Sequence, residues 1–216
     1  ARGSSHVSAQ VPKMVFHPLG RETSRVGLGC GTLVGRGSLR KSARLIEAAL
    51  DLGIRYFDTA PMYGMGTSEE VLGAVLKGIP DVVIATKVGI ARPPYSPLKA
   101  IMRRASKVIL DRSRQLRTAA RRAYHSLRRR SEREIEASGI RHLTASHVRQ
   151  SLCESCALLE RSSVDVYLVH EPTPDDLAST ELVKSMEDLV AEGLIGCFGA
   201  GISACDAPSH LFGSVW

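Results

Sequence analysis

Four side chains of complementary chemistry stand where short β-branched or aromatic runs end. Asp58 lies near the end of IRYFDT (54–59), Lys87 closes DVVIATK (81–87), and His170 closes VDVYLVH (164–170). Tyr63 follows Asp58 by five residues, in the loop APMYGMG (60–66), whose glycines let it fold back over the strand ends. In a parallel barrel the C-terminal ends of the strands converge on one mouth, so side chains distant in sequence meet there. A buried ammonium beside a phenol favours the phenolate by opposite charge, which makes the phenol a usable general acid. A carboxylate balances and holds the ammonium. An imidazole can donate a hydrogen bond to a carbonyl oxygen as charge develops on it. Taken singly, each residue has a bland reading: a strand-end Asp caps a turn, a lone His is structural, and a loop Tyr packs. The joint pattern at one sheet edge points to a site.

The elements that must position these residues alternate along the chain. A strand over 25–30 (RVGLGC) leads into a Gly-rich turn, and Ser38 caps a helix reaching Leu52, with Gly53 placed to end it. After the strand 54–59, Ser68 reads as an N-cap followed by the dipole-matched acids Glu69 and Glu70, opening a helix with Val71, Leu72, Val75 and Leu76 on one face. The strand 81–87 follows. A helix over 144–160 carries Val148, Leu152, Cys156 and Leu159 at helical spacing and leads into the strand 164–170; a helix over 180–191 and a strand over 194–199 (LIGCFG) close the series. Five such units in unbroken alternation predict a parallel α/β sheet, which a doubly wound sheet and a barrel both satisfy. Within the helix 144–160, Cys153 and Cys156 form a C-x-x-C, but no second pair stands at zinc-finger spacing, so they read as packing and no metal site is expected.

The sequence resembles the aldo-keto reductase family. The stretch FDTAPMYGMGTSEEVLG (57–73) is similar to the family's signature around its catalytic Asp and Tyr, ATKVG (85–89) to its Lys strand, VDVYLVHEP (164–172) to its His strand, and DLVAEGLIGCFG (188–199) to the next helix and strand. The resemblance covers about residues 19–92 and 142–203 and implies a TIM-type (β/α)8 barrel, of which only about the first five β/α units are present. It implies that Tyr63 is the proton donor, Lys87 its activating neighbour, Asp58 the partner of Lys87, and His170 the residue that orients the carbonyl. It further implies a nicotinamide cofactor, usually NADPH with NADH possible, bound across the mouth against Gly31, Thr32 and Asp58. The residues agree that no Rossmann fingerprint is used, because GLGCGTLVG (27–35) has neither G-x-G-x-x-G spacing nor a P-loop Lys-Ser/Thr. Where the family grips the nicotinamide amide with Ser and Asn, the ungapped register gives Gly201 and Ile202; a two-residue shift recovers Ser203. The function so implied is reduction of an aldehyde or ketone, or oxidation of a sugar-like alcohol. The alternative is a reductase-fold module without turnover, acting as a regulatory or membrane-surface-associated subunit, a use the family's potassium-channel beta subunits illustrate.

Composition bounds the rest. The chain has 216 residues, 44% hydrophobic and 24% charged, which suits one globular domain. The longest convincing uncharged run, Gly193 to Cys205, holds 13 residues, short of the roughly 18 a membrane span needs. No apolar h-region opens the sequence and its five cysteines are irregularly placed, so a cytoplasmic location with reduced thiols is expected. Net charge is +7, yet residues 99–134 alone hold thirteen Lys/Arg against three acids, a net of +10, which leaves the remainder at −3. From Leu98 to Ser138 there is neither Gly nor Pro, and apolar residues recur every three or four positions. Between Lys87 and His170 lie 82 residues, where a crossover helix needs only some 30, so residues 97–141 read as a basic helical insertion in the third β-α loop, within a single barrel domain spanning 1–216. Such a segment reads first as a solvated helical excursion in which Arg serves helix propensity and next as a binder of an anionic membrane surface, whereas nucleic acid is disfavoured because Tyr124 is its one aromatic and stacking platforms are absent. A barrel of this type runs to about 250 residues, so strands six to eight are expected to lie outside the sequence, as in a fragment of a longer protein.

Overall fold

A computed structural model of the chain describes residues 10–33, 39–92 and 143–202. The basic segment 99–134, Ser38 and Ser203 lie outside the described residues. Two short antiparallel strands come first, β1 (Lys13–Phe16) and β2 (Arg21–Ser24), joined through a 3-10 turn at His17–Leu19. The chain then alternates: β3 (Gly27–Gly29), α1 (Leu39–Asp51), β4 (Tyr56–Asp58), α2 (Ser68–Leu76), β5 (Val83–Val88), α3 (Ala145–Leu159), β6 (Val164–His170), α4 (Pro174–Ala178), α5 (Thr180–Ala191) and β7 (Ile195–Gly201). Strands β3 to β7 form one parallel sheet in sequence order. This is the expected sheet.

Both faces of that sheet are covered. All six residues of β5 are buried, as expected for a parallel strand covered on both sides. Because side chains alternate along a strand, Val83, Ala85 and Lys87 share one face while Ile84, Thr86 and Val88 share the other. Val83 and Ala85 pack with Val166, Tyr56, Leu168 and Cys197 on the inner face. Ile84 and Val88 join the larger core that the helices build with Ile46, Leu72, Leu152, Tyr167 and Met186. The Tyr167 hydroxyl donates to the Val148 carbonyl at 3.1 Å, satisfying the polar end of a fully buried ring.

The N-terminal hairpin closes the opposite end of the sheet from the site. Phe16 meets Tyr56 edge-on with ring centroids 5.8 Å apart, and Leu19 packs with them on the inner face. Arg21 donates to the Asp165 carboxylate at 2.8 Å and to the Val82 carbonyl at 3.0 Å, both near the start of a strand. Nothing in the sequence pattern announces the hairpin, since β1 is mostly exposed and shows no inside-outside alternation. Helix ends follow the sequence more closely. Gly53, at φ +85°, terminates α1, and the Thr144 hydroxyl caps α3 by accepting from His147 N–H at 3.3 Å.

One cap is corrected. Ser68 is the first residue of α2 and not its cap; Thr67 occupies that position without a side-chain capping bond. The Ser68 hydroxyl instead points inward, accepting from Thr59 Oγ1 at 3.1 Å and donating to the Cys30 carbonyl at 3.4 Å. Burial decided this, because a fully buried hydroxyl takes whatever acceptor lies inside.

Candidate active site

The period-two rule places Asp58, Lys87 and His170 on the inner face, each at the C-terminal end of its strand. The register then staggers them: Asp58 lies opposite Ala85, two residues before Lys87, and Lys87 lies opposite Leu168, two residues before His170. His170 faces Gly201 directly. A ring of side chains at one mouth results.

Lys87 is 4% exposed. A buried ammonium must be paired and hydrogen-bonded, and Lys87 Nζ donates to the Asp58 carboxylate and, at 2.8 Å, to the Thr59 carbonyl. Asp58 keeps part of its side chain in solvent, whereas the Lys87 end is nearly dry. The chain leaves β4 through buried Ala60 and Pro61 and turns back at Tyr63, whose N–H donates to Ala60 O at 3.0 Å. Gly64 and Gly66 take positive φ there (+61° and +87°), which a residue with a Cβ rarely adopts. This turn brings the Tyr63 ring under the ammonium, with Lys87 Nζ 4.7 Å from the ring centroid. The His170 ring stands nearly perpendicular to it, centroids 5.8 Å apart and planes at 86°. All four residues singled out from the sequence therefore meet.

The mouth is lined on two sides by residues without bulk. A Cβ added at Gly31 would lie 3.7 Å from the Tyr63 ring, and one at Gly201 would lie 3.4 Å from Lys87 Cε. Gly31 and Thr32 are exposed at the rim, and β7 ends at Gly201. Thr59 and Ser68 lie buried beneath. Cys30, fully buried beside them, has its thiol pushed up to about 12 by burial, then by Asp58, with Lys87 opposing. It stays a neutral thiol at physiological pH and is no nucleophile.

Glu69 stands in the first turn of α2 as expected, but it is fully buried, accepting from Thr86 Oγ1 and from Arg92 Nη2, each at 2.6 Å. The signal available was Arg92, just beyond β5, a cation waiting for a partner.

A model of the Aldo/keto reductase family matches residues 25–207, most of the chain. The chain belongs to that family. Among curated relatives, the D-threo-aldose 1-dehydrogenase of a Pseudomonas species is 32% identical over 167 residues, covering 76% of this chain and 44% of its own length. The 6-dehydroglucose reductase of Novosphingobium aromaticivorans is 40% identical over 187 residues, covering 80% of this chain and 46% of its own. This aldo/keto reductase chain thus spans less than half the length of both relatives. Among solved structures, an aldo-keto reductase from Klebsiella pneumoniae in complex with NADPH superposes with a TM-score of 0.54 at 22% identity, over 87% of this chain and 49% of that one. The five-stranded parallel sheet is accordingly a partial (β/α)8 barrel. No helix among the described residues is long and apolar enough to cross a membrane.

The family is NAD(P)H-dependent, and glycine at 31 and 201 puts no side chain of its own beside Tyr63 and Lys87.

Proposed function

We propose that this aldo/keto reductase site reduces an aldehyde or ketone, or in reverse oxidises a sugar-like alcohol, with Tyr63 as the general acid. The observation that carries the reading is the dry Lys87 ammonium, held by Asp58 and the Thr59 carbonyl and set 4.7 Å from the Tyr63 ring centroid. In reduction the Tyr63 O–H bond breaks and its proton passes to the substrate oxygen. The phenolate left behind is stabilised by the Lys87 cation. Asp58 fixes Lys87 and balances its charge. His170 donates a hydrogen bond that orients the carbonyl while negative charge grows on its oxygen. The hydride for the carbonyl carbon comes from a reduced nicotinamide cofactor, NADPH or alternatively NADH. Gly31, Thr32, Asp58 and Ser203 are the residues assigned to hold it. A sugar-like substrate is favoured by the two relatives named above, an aldose dehydrogenase and a dehydroglucose reductase.

Tyr63→Phe tests the assignment. Only the transferred proton is removed, so carbonyl reduction should be abolished while NADPH binding, followed by fluorescence, stays nearly unchanged. Retention of more than about a few per cent of wild-type turnover would reject Tyr63 as the acid.

A further inference from the structure

The turn that carries Tyr63 is held from a side the proposed chemistry does not use. Glu69 is fully buried, and a buried carboxylate is tolerated only when its oxygens are paired. Oε1 accepts from Thr86 on β5, and Oε2 accepts from Arg92 just past β5. The same guanidinium reaches a second acceptor: Arg92 Nη1 donates to the Gly66 carbonyl at 3.0 Å. Its stem lies against Gly66, where an added Cβ would come within 3.0 Å of Arg92 Cγ. Gly66 in turn donates its N–H to the Tyr63 carbonyl at 3.0 Å, and the Thr67 hydroxyl donates to Gly64 O at 2.8 Å. A continuous chain of bonds thus runs from the buried Glu69 through Arg92 and Gly66 to the backbone of Tyr63.

We infer that Arg92, locked by Glu69, is a positioning residue that sets the Tyr63 turn against Lys87 and His170; this rests on the reading of Tyr63 as the acid. The planar fork of a guanidinium can satisfy a carboxylate and a carbonyl at once, whereas a lysine ammonium is a point charge on a flexible stem. A displacement of about 1 Å at a reacting group can cost about a hundredfold in rate. The pair therefore bears on turnover beyond its share in stability.

Arg92→Lys separates the two roles, since it keeps the charge beside Glu69 but loses the two-acceptor fork. It is to be compared with wild type in thermal unfolding, NADPH affinity, and steady-state reduction of glyceraldehyde. The protein is also labelled with 3-fluorotyrosine and read by fluorine NMR, the Tyr63 line being assigned by its loss in Tyr63→Phe. The expected result is an unfolding midpoint within about 3 °C of wild type, an NADPH Kd within about twofold, kcat lowered about tenfold or more, and a displaced or broadened Tyr63 line. Wild-type kcat, or an unmoved Tyr63 line, would overturn the inference. Where Arg92→Lys does not fold, the double variant Glu69→Gln, Arg92→Gln, which removes both charges together, carries the same readouts. An active Tyr63→Phe would instead reject the acid assignment, and the fluorine line would still report whether Arg92 sets the turn.

Discussion

Replacing Lys87 by Met removes the ammonium while keeping an unbranched stem of similar length against Gly201. The effect on turnover follows from one distance. A unit charge 4.7 Å from the Tyr63 ring centroid, across an effective dielectric of about 20, stabilises a negative charge delocalised over that ring by ~3.5 kcal/mol. At about 1.4 kcal/mol per decade, kcat for carbonyl reduction should fall by 10²–10³-fold, roughly. Stability should change far less. The variant loses the bonds to Asp58 and Thr59 O, but it also removes a buried cation, and the Asp58 carboxylate it leaves is 39% exposed and can be hydrated. These opposing effects should keep the unfolding free energy within about 1–2 kcal/mol of wild type. The assay is single-turnover reduction followed by NADPH absorbance, beside denaturant unfolding of the same preparations. A loss of less than about threefold in a folded variant would show that the ammonium does not stabilise the phenolate, and the mechanism would fail with it.

Other outcomes follow from packing and titration. Gly73→Ala would place a Cβ 2.2 Å from the Leu158 carbonyl oxygen and 2.8 Å from the Leu159 carbonyl carbon, both backbone, so α2 and α3 must separate. Thermal unfolding should register a loss of about 3 kcal/mol or more, and a wild-type midpoint would contradict that packing. Asp165→Asn removes the charge that receives Arg21 and the Ile84 N–H, and should cost about 1–3 kcal/mol. Truncating Arg21 in that background should then add little, as a double-mutant cycle would measure. Stability should also fall as pH rises from about 9 towards 11. Burial holds protons on Cys30 and Tyr56 up to about 12 and on Cys156 up to about 11, against ordinary values of 9.0, 10.0 and 9.0. The unfolded chain releases those protons first, so alkaline conditions favour it. A denaturant midpoint that stays flat across that interval would refute the burial of these groups.

Strand ends and period-two alternation are local properties, and they were legible. Val-Ile-Ala-Thr-Lys can be read as a buried strand with Lys87 on the face of Val83 and Ala85, and β6 and α5 begin and end where their sequence patterns do. The same alternation puts Asp58 and His170 on that face, so the identity of the polar ring needed no coordinates. The spacing between those residues did. How far Lys87 sits from Tyr63 depends on the two-residue stagger between neighbouring strands and on a glycine turn at positive φ, and neither is written in a hydrophobic pattern. Glu69 shows the limit most clearly. A Glu in the first turn of a helix usually faces water beside the helix dipole. Here Arg92, 23 residues further on, folds back to neutralise it, and Thr86 from the intervening strand takes its other oxygen. Ser68 was reassigned for the same reason: once buried, a side chain's role is set by the neighbours that tertiary contact brings, not by those in sequence.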